Sequence, residues 1–336
     1  MSGARTGLLG LVVSALLCCL LCSCARRRAE GPLAYVSNER DGTIKVIDTD
    51  RDEVVSTISV GARPRGIRLS PDGRRVYVAL STPSGQTYNQ EENKIAAIDI
   101  ASGRVVAKYE VGSDPEQLAV SLDGTRLYAS NEDAGTASVT DVNTGQLLAT
   151  FVVGIEPEGV TISPDGRWVY VTAETSNTVS VIDTQANRVV GSFMVGARPR
   201  DAAFSPDGSL AYVTTEIGRT VAVVDTRTHS VVHTIEVPRA ENVKPMGVVV
   251  SGDGRRLYVA TGRGNTVVVF DAKSYEVLAT IPAGQRVWGL AITPDDKKVY
   301  AANSLSNDVS VIDTATNRVV KNIEAGDGPW GIAIGR

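Results

Sequence analysis

Residues 159–196 read GVTISPDGRWVYVTAETSNTVSVIDTQANRVVGSFMVG. Four short runs in this stretch, 160–163, 168–172, 178–182 and 188–195, are rich in Val, Ile, Thr, Tyr or Phe. Each is bounded by Gly, Pro, Asn, Asp or Ser, which is the pattern of strands and not of helices. Ser163-Pro164-Asp165-Gly166 is a tight hairpin: proline presets φ, Asp tolerates the next position, and Gly supplies positive φ. Residues 183–187 are a second hairpin, in which Asp183 can accept bonds from backbone N–H groups ahead of it. The stretch is therefore one four-stranded antiparallel meander.

Its Val-Ile-Asp-Thr segment returns along the chain, with aspartates at Asp48, Asp99, Asp141, Asp183, Asp225, Asp271 and Asp313. Four of the six intervals are 42 residues, the first is 51 and the fifth 46. A fixed period of this size is the mark of a repeat architecture. Seven such meanders predict an all-β fold, a seven-bladed β-propeller of four-stranded antiparallel blades. Residues 33–38 match the second strand of a repeat and residues 329–334 match the first. The ring is therefore expected to close by pairing of the N- and C-terminal strands.

The net charge of −4 gives no bias toward nucleic acid, although a local basic patch is compatible with it. The first 24 residues differ from the rest. Arg5 precedes an apolar run from Leu8 to Leu21, too short to span a bilayer comfortably and suited to a signal peptide. It ends in Leu21-Cys22-Ser23-Cys24, which predicts a lipoprotein-type leader, residues 1–24, ending at a lipidated Cys24. Simple secretion and an uncleaved anchor are the alternatives. Residues 25–32 read as a flexible tether and 33–336 as the propeller. The expected location is the bacterial cell envelope, facing the periplasm. All four cysteines lie in the leader, which removes thiol catalysis, Cys-ligated metals and haem attachment from the propeller.

In a meander, successive connections alternate between two faces. The Ser-Pro-Asp-Gly and Asp-Thr hairpins share one uniform face. The other holds the loops leading into each inner strand and the loops after each second strand, and these vary beyond what turn chemistry requires. Candidates on the lead-in side are Arg63, Arg65, Glu116, Glu156, Glu158, Arg198, Arg200, Arg286, Trp288 and Trp330. Candidates after the second strands are Asn38, Asn131, Glu132, Glu174, Glu216 and Asn303. Together they are expected to ring one mouth of the central channel. That mixture suits a small polar or anionic molecule, or a protein partner. The same charges can also pair among themselves as a solvated rim. Two lengthened loops, 81–93 and 238–243, fall on this face.

No catalytic residue, metal or cofactor is predicted. Glu39, Glu132, Glu174, Asn131 and Asn303 offer oxygen ligands for Ca²⁺ without a defined spacing. The two histidines, His229 and His233, lie by the opposite face, away from any Ser-His-Asp arrangement at the mouth, and are expected on one side of a strand.

Tyr35-Val36-Ser37-Asn38, Tyr128-Ala129-Ser130-Asn131 and Tyr300-Ala301-Ala302-Asn303, with Val-Ile-Asp-Thr and Ser-Pro-Asp-Gly, resemble the YVTN-repeat β-propellers across about residues 33–336. Segments such as DPEQLAVSLDG (114–124) and AGQRVWGLAITPDDKKVYAANSLSNDVSVID (283–313) resemble the propellers associated with PQQ (pyrroloquinoline quinone)-dependent alcohol catabolism. The resemblance implies an exported, non-catalytic accessory factor. Its partner would be a periplasmic protein such as a quinoprotein dehydrogenase or a c-type cytochrome, with the membrane engaged through the N-terminal lipid. Quinoprotein dehydrogenases themselves are eight-bladed and Trp-rich, whereas this chain has seven repeats and three tryptophans. Related propellers resemble lactonases, and others bind single-stranded nucleic acid. The acidic lead-in loops at 114–116 and 156–158 argue against the last.

Overall fold

The computed structural model describes residues 31–83, 85–238 and 241–335. The leader, with Cys24, and the tether up to residue 30 lie outside them. Every regular element among the described residues is a strand. They form seven four-stranded antiparallel sheets. Blade 1 contains residues 33–59 with the C-terminal strand, and blades 2 to 7 span 64–110, 115–152, 157–194, 199–236, 248–282 and 287–324. Among the described residues, no helix is long and apolar enough to cross a membrane.

The ring closes as the chain ends predict. Pro329–Gly335 pairs antiparallel with Leu33–Asn38, with Ala34 opposite Ile334 and Val36 opposite Ile332. In blades 1 to 5 the inner strand begins at the lead-in proline itself, Pro157 in blade 4, three residues earlier than the apolar pattern suggests. The proline comes first in its strand, where the absence of an N–H is tolerated, and the register shifts just after it.

The repeat positions carry specific bonds. Asp183 Oδ1 accepts the N–H groups of Gln185 and Ala186 at 2.9 and 2.8 Å. Ser163 Oγ donates to Asp165 and accepts the Trp168 N–H, locking the other hairpin. One buried tyrosine per blade (Tyr35, Tyr77, Tyr128, Tyr170, Tyr212, Tyr258 and Tyr300) fills the space between neighbouring sheets. Second-strand hydroxyls tie blade to blade: Ser130 to Glu158 O at 2.6 Å, Thr172 to Arg200 O at 3.0 Å, Thr214 to Met246 O at 2.6 Å.

Around the axis the inner strands approach so closely that a Cβ on Gly159 would stand 2.5 Å from Arg200 O, and one on Gly289 2.5 Å from Trp330 O. The same position holds Gln117 in blade 3 and Asp201 in blade 5, and both side chains line the narrow throat of the channel. The chain enters its first strand on the hairpin face, where Thr49 N–H and Oγ1 both donate to Pro32 O. The variable mouth is on the other face.

Candidate functional site

The two variable loops of a blade are clipped together by a backbone bond. Glu132 N–H donates to Asp114 O, Glu174 to Glu156 O, Glu216 to Arg198 O, Ser304 to Arg286 O and Glu39 to Gly328 O, at 2.8–3.0 Å. The lead-in residue of each clip has a left-handed backbone: φ is 48° at Asp114, 55° at Glu156, 60° at Arg198, 57° at Arg286 and 74° at Gly328. Arg63 has the same conformation, with φ 45°. Glycine would relax this position, so charged side chains there are held at a local backbone cost of about 1 kcal/mol or more.

From these clips the side chains converge on the axis. Arg63 pairs with Asp114 at 2.8 Å and Glu39 at 3.1 Å. Arg65 pairs with Glu39 at 3.0 Å, with the buried Glu116, and with Glu132 at 3.8 Å. Arg198 pairs with Glu174 at 2.6 Å and Glu216 at 3.1 Å. Arg200 holds Glu216 at 2.7 Å, Glu158 at 3.2 Å and the buried Glu174. Lys244 adds a bond to Glu216 at 2.8 Å.

Arg286 is different. Among the described residues its guanidinium has no carboxylate partner. It lies over the Trp288 ring, 4.5 Å from the centroid. The glutamate that follows the second strand in blades 1, 3, 4 and 5 is replaced by Gly262 in blade 6 and Ser304 in blade 7. Arg286 thus stands where blades 6 and 7 both lack that glutamate, and Glu39 of blade 1 reaches it through its charge without an ion pair. Burial, and then the neighbouring Arg263 charge, lower its pKa from the usual arginine value.

Two adjoining cavities occupy the mouth. One, about 420 Å³, is lined by Arg63, Arg65, Arg198, Arg200 and Arg286 among others, with Pro83, Gln86 and Tyr88 of the 81–93 loop over it. The other, about 720 Å³, shares Arg286 and Trp288 and adds Trp330. The two tryptophan rings are 5.7 Å apart and tilted by 41°. Below them the throat narrows to about 20 Å³, room for about one water.

Carboxylate oxygens of Asp114, Glu116 and Glu132 lie within 4.8 Å of one another. Arg63 and Arg65 already lie against them and supply the positive charge a metal would bring. Burial, then the Glu158 and Asp114 charges, push the Glu132 carboxyl up to about 8. Burial likewise raises Glu158. Glu132 thus holds its proton to higher pH than an ordinary carboxyl, beside the cavity.

Not every expected residue reaches the mouth. Asn38, Asn131 and Asn303 are buried and bond within their own blades, Asn131 to Thr136 at 3.1 Å and Asn303 to Asp308 at 2.8 Å. As strand-final residues they follow the pleat inward and line neither cavity. Glu156 turns aside to accept a bond from Thr175. The Ca²⁺ ligand set Glu39, Glu132, Glu174, Asn131 and Asn303 is therefore not assembled. The histidines do not share a strand side: His229 sits in a turn at φ 50° and bonds Tyr170 Oη at 2.7 Å, while His233 stacks on Tyr275 at 4.5 Å. The site also contains Glu39, Asp114 and Lys244, which belong to the same variable loops as the expected residues. Asp114 was legible, since it holds the lead-in position of Arg63 and Arg198.

With this geometry, the comparisons with known proteins take a definite form. The family described as choice-of-anchor I domain matches residues 33–200, half of the chain. The chain belongs to the choice-of-anchor I domain family. The family described as lactonase, 7-bladed beta-propeller, matches residues 188–326 of this choice-of-anchor I protein. A relative, antigen Lp49 of Leptospira interrogans, is 32% identical over 102 residues, which are 29% of this chain and only 22% of that protein. Among solved structures, hydrazine synthase of Kuenenia stuttgartiensis superposes with a TM-score of 0.74 at 22% identity, covering 84% of this chain and 92% of that one. A Bacteroides fragilis protein provisionally assigned as a 6-phosphogluconolactonase superposes with a TM-score of 0.76 at 20% identity, covering 92% and 99%. At these identities the structures establish the shared propeller fold.

Proposed function

We propose that this chain is an exported, lipid-anchored propeller that binds a small anionic molecule at the variable mouth and acts as a non-catalytic accessory factor. One observation carries the binding role. Among the described residues, Arg286 is a half-buried cation in no ion pair with a carboxylate, at the edge of a cavity of about 420 Å³ whose other arginines are matched. A charge held part-way out of water without a partner favours an anion from outside. The anchor is supported by the Leu21–Cys24 sequence. The link to quinoprotein alcohol oxidation rests on the sequence resemblance, with a periplasmic dehydrogenase or cytochrome as the partner it implies.

The test is calorimetric titration of the full chain with small carboxylates and phosphates and with their neutral alcohol counterparts. Anions should bind, Arg286→Gln should abolish the heat, and Arg227→Gln, 83% exposed on the hairpin face, should not. Equal binding of the neutral counterparts would remove the assignment.

Hydrolysis of an anionic lactone is a second function, favoured by the raised Glu132 carboxyl beside the cavity together with the lactonase match at 188–326. Water would add to the lactone carbonyl and the ring C–O bond would break. Glu132 would give its proton to the leaving ring oxygen and recover one from the added water. Turnover of a lactone panel that Glu132→Gln removes would establish this function; binding without turnover would leave the accessory role.

A further inference from the structure

We infer that the ligand is a flat-ringed monocarboxylic acid whose carboxylate takes, beside Arg286, the place that a glutamate side chain fills in other blades. This rests on the anion-binding role above and narrows it to a ligand class.

The charge comes from the pattern of clips. Where a lead-in arginine meets a post-strand glutamate, as Arg198 meets Glu216 at 3.1 Å, the mouth satisfies itself. In blade 7 the equivalent pair is Arg286 and Ser304, and Ser304 is 2% exposed with its Oγ unpartnered. What blade 7 lacks at this position is one carboxylate. A doubly charged phosphate monoester would need a second guanidinium: Arg200 is committed to the buried Glu174, and the exposed Arg263, the charge beside Arg286, lines neither cavity. Drawing Arg200 away from Glu158 and Glu174 would leave charges buried without partners. Arg40, at the edge of the second cavity, is likewise held by Asp327 at 2.7 Å and by Ser304 O at 2.7 Å.

The flat ring comes from the wall. Arg286 stands on the border between the charged cavity and the cavity faced by Trp288 and Trp330. A molecule whose acid group reaches Arg286 lays the rest of itself against these indoles. Aromatic faces favour offset or edge-on contact with another flat π-system over a puckered ring. Tyr88, 48% exposed on the 81–93 loop, offers a third aromatic surface over the same space.

The experiment is calorimetric titration of the full chain with four probes: 1-naphthoate, cyclohexanecarboxylate, 1-naphthalenemethanol and 1-naphthyl phosphate. 1-Naphthoate should bind roughly tenfold or more tighter than each of the others. Ser304→Glu supplies the missing carboxylate from within, and should abolish naphthoate binding while leaving the thermal melt unchanged. The same position already holds buried glutamates in blades 4 and 5, Glu174 and Glu216. Ser304→Gln, of the same size without the charge, should retain more binding than Ser304→Glu. Should Ser304→Glu unfold the chain, Arg286→Gln and Trp288→Leu provide the same test, each expected to lose about tenfold for naphthoate. Tighter binding of the phosphate, or equal binding of the cyclohexane acid, would overturn the ligand class while the anion site stands. Absence of binding by every anion would overturn the anion-binding role itself. Naphthoate binding indifferent to both Ser304→Glu and Arg286→Gln would overturn the placement.

Discussion

Arg286 has a left-handed backbone, φ 57°, at a position where blade 1 uses Gly328. Its side chain is thus retained against its local conformational preference. Arg286→Gly should therefore leave stability unchanged or raise it by up to about 1 kcal/mol, while removing anion binding. Thermal melts and titration of the same preparation check both. Glu132 gives a second prediction at this scale. Its carboxyl is raised from 4.5 to about 8 in the folded chain, so the folded state holds more protons than the unfolded one between these values. Stability from this group is full below pH 4.5 and is lost as pH rises through about 8. Glu132→Gln should flatten the stability profile across that window, measured by denaturant midpoints at pH 5, 7 and 9.

The elements show how far the sequence could be read. Hairpins and strands were legible because turn chemistry and the two-residue alternation are local and repeat down the chain. The mouth was legible only in part. Arg63, Arg65, Arg198 and Arg200 were recognisable as charged lead-in residues, but which carboxylate each meets depends on the clip between two loops some twenty residues apart. Asn38, Asn131 and Asn303 looked like mouth residues because they end their strands, and the pleat turns them inward. The unmatched state of Arg286 was written in Ser304 and Gly262, and emerged only once the loops were seen paired. The hairpin aspartates carry their own prediction. Their hydroxyl and N–H donors pull Asp165 and Asp207 below the usual carboxylate range, and the Thr293 hydroxyl, then Lys297, hold Asp295 down to about 2. Groups lowered in the folded state stabilise it above their unfolded values and lose that contribution as pH falls. Acid unfolding followed by circular dichroism should therefore begin below pH 3.8 and continue toward pH 2.

At the scale of the whole molecule the ring is closed by one strand. Pro329–Gly335 is the inner strand of blade 1, and Trp330, Ile332 and Ala333 are buried in it. Removing residues 329–336 leaves Leu33–Asn38 with an open edge and the mouth without Trp330. The truncated chain should lose cooperative unfolding and aggregate, as seen by calorimetry and light scattering. The most direct test of the central claim is native mass spectrometry of the protein gently purified from its own cells, beside the Ser304→Glu variant prepared in the same way. The account predicts a small-acid adduct on the unaltered protein and none on the variant. An adduct of equal mass on both, or a metal ion in place of the acid, would contradict it.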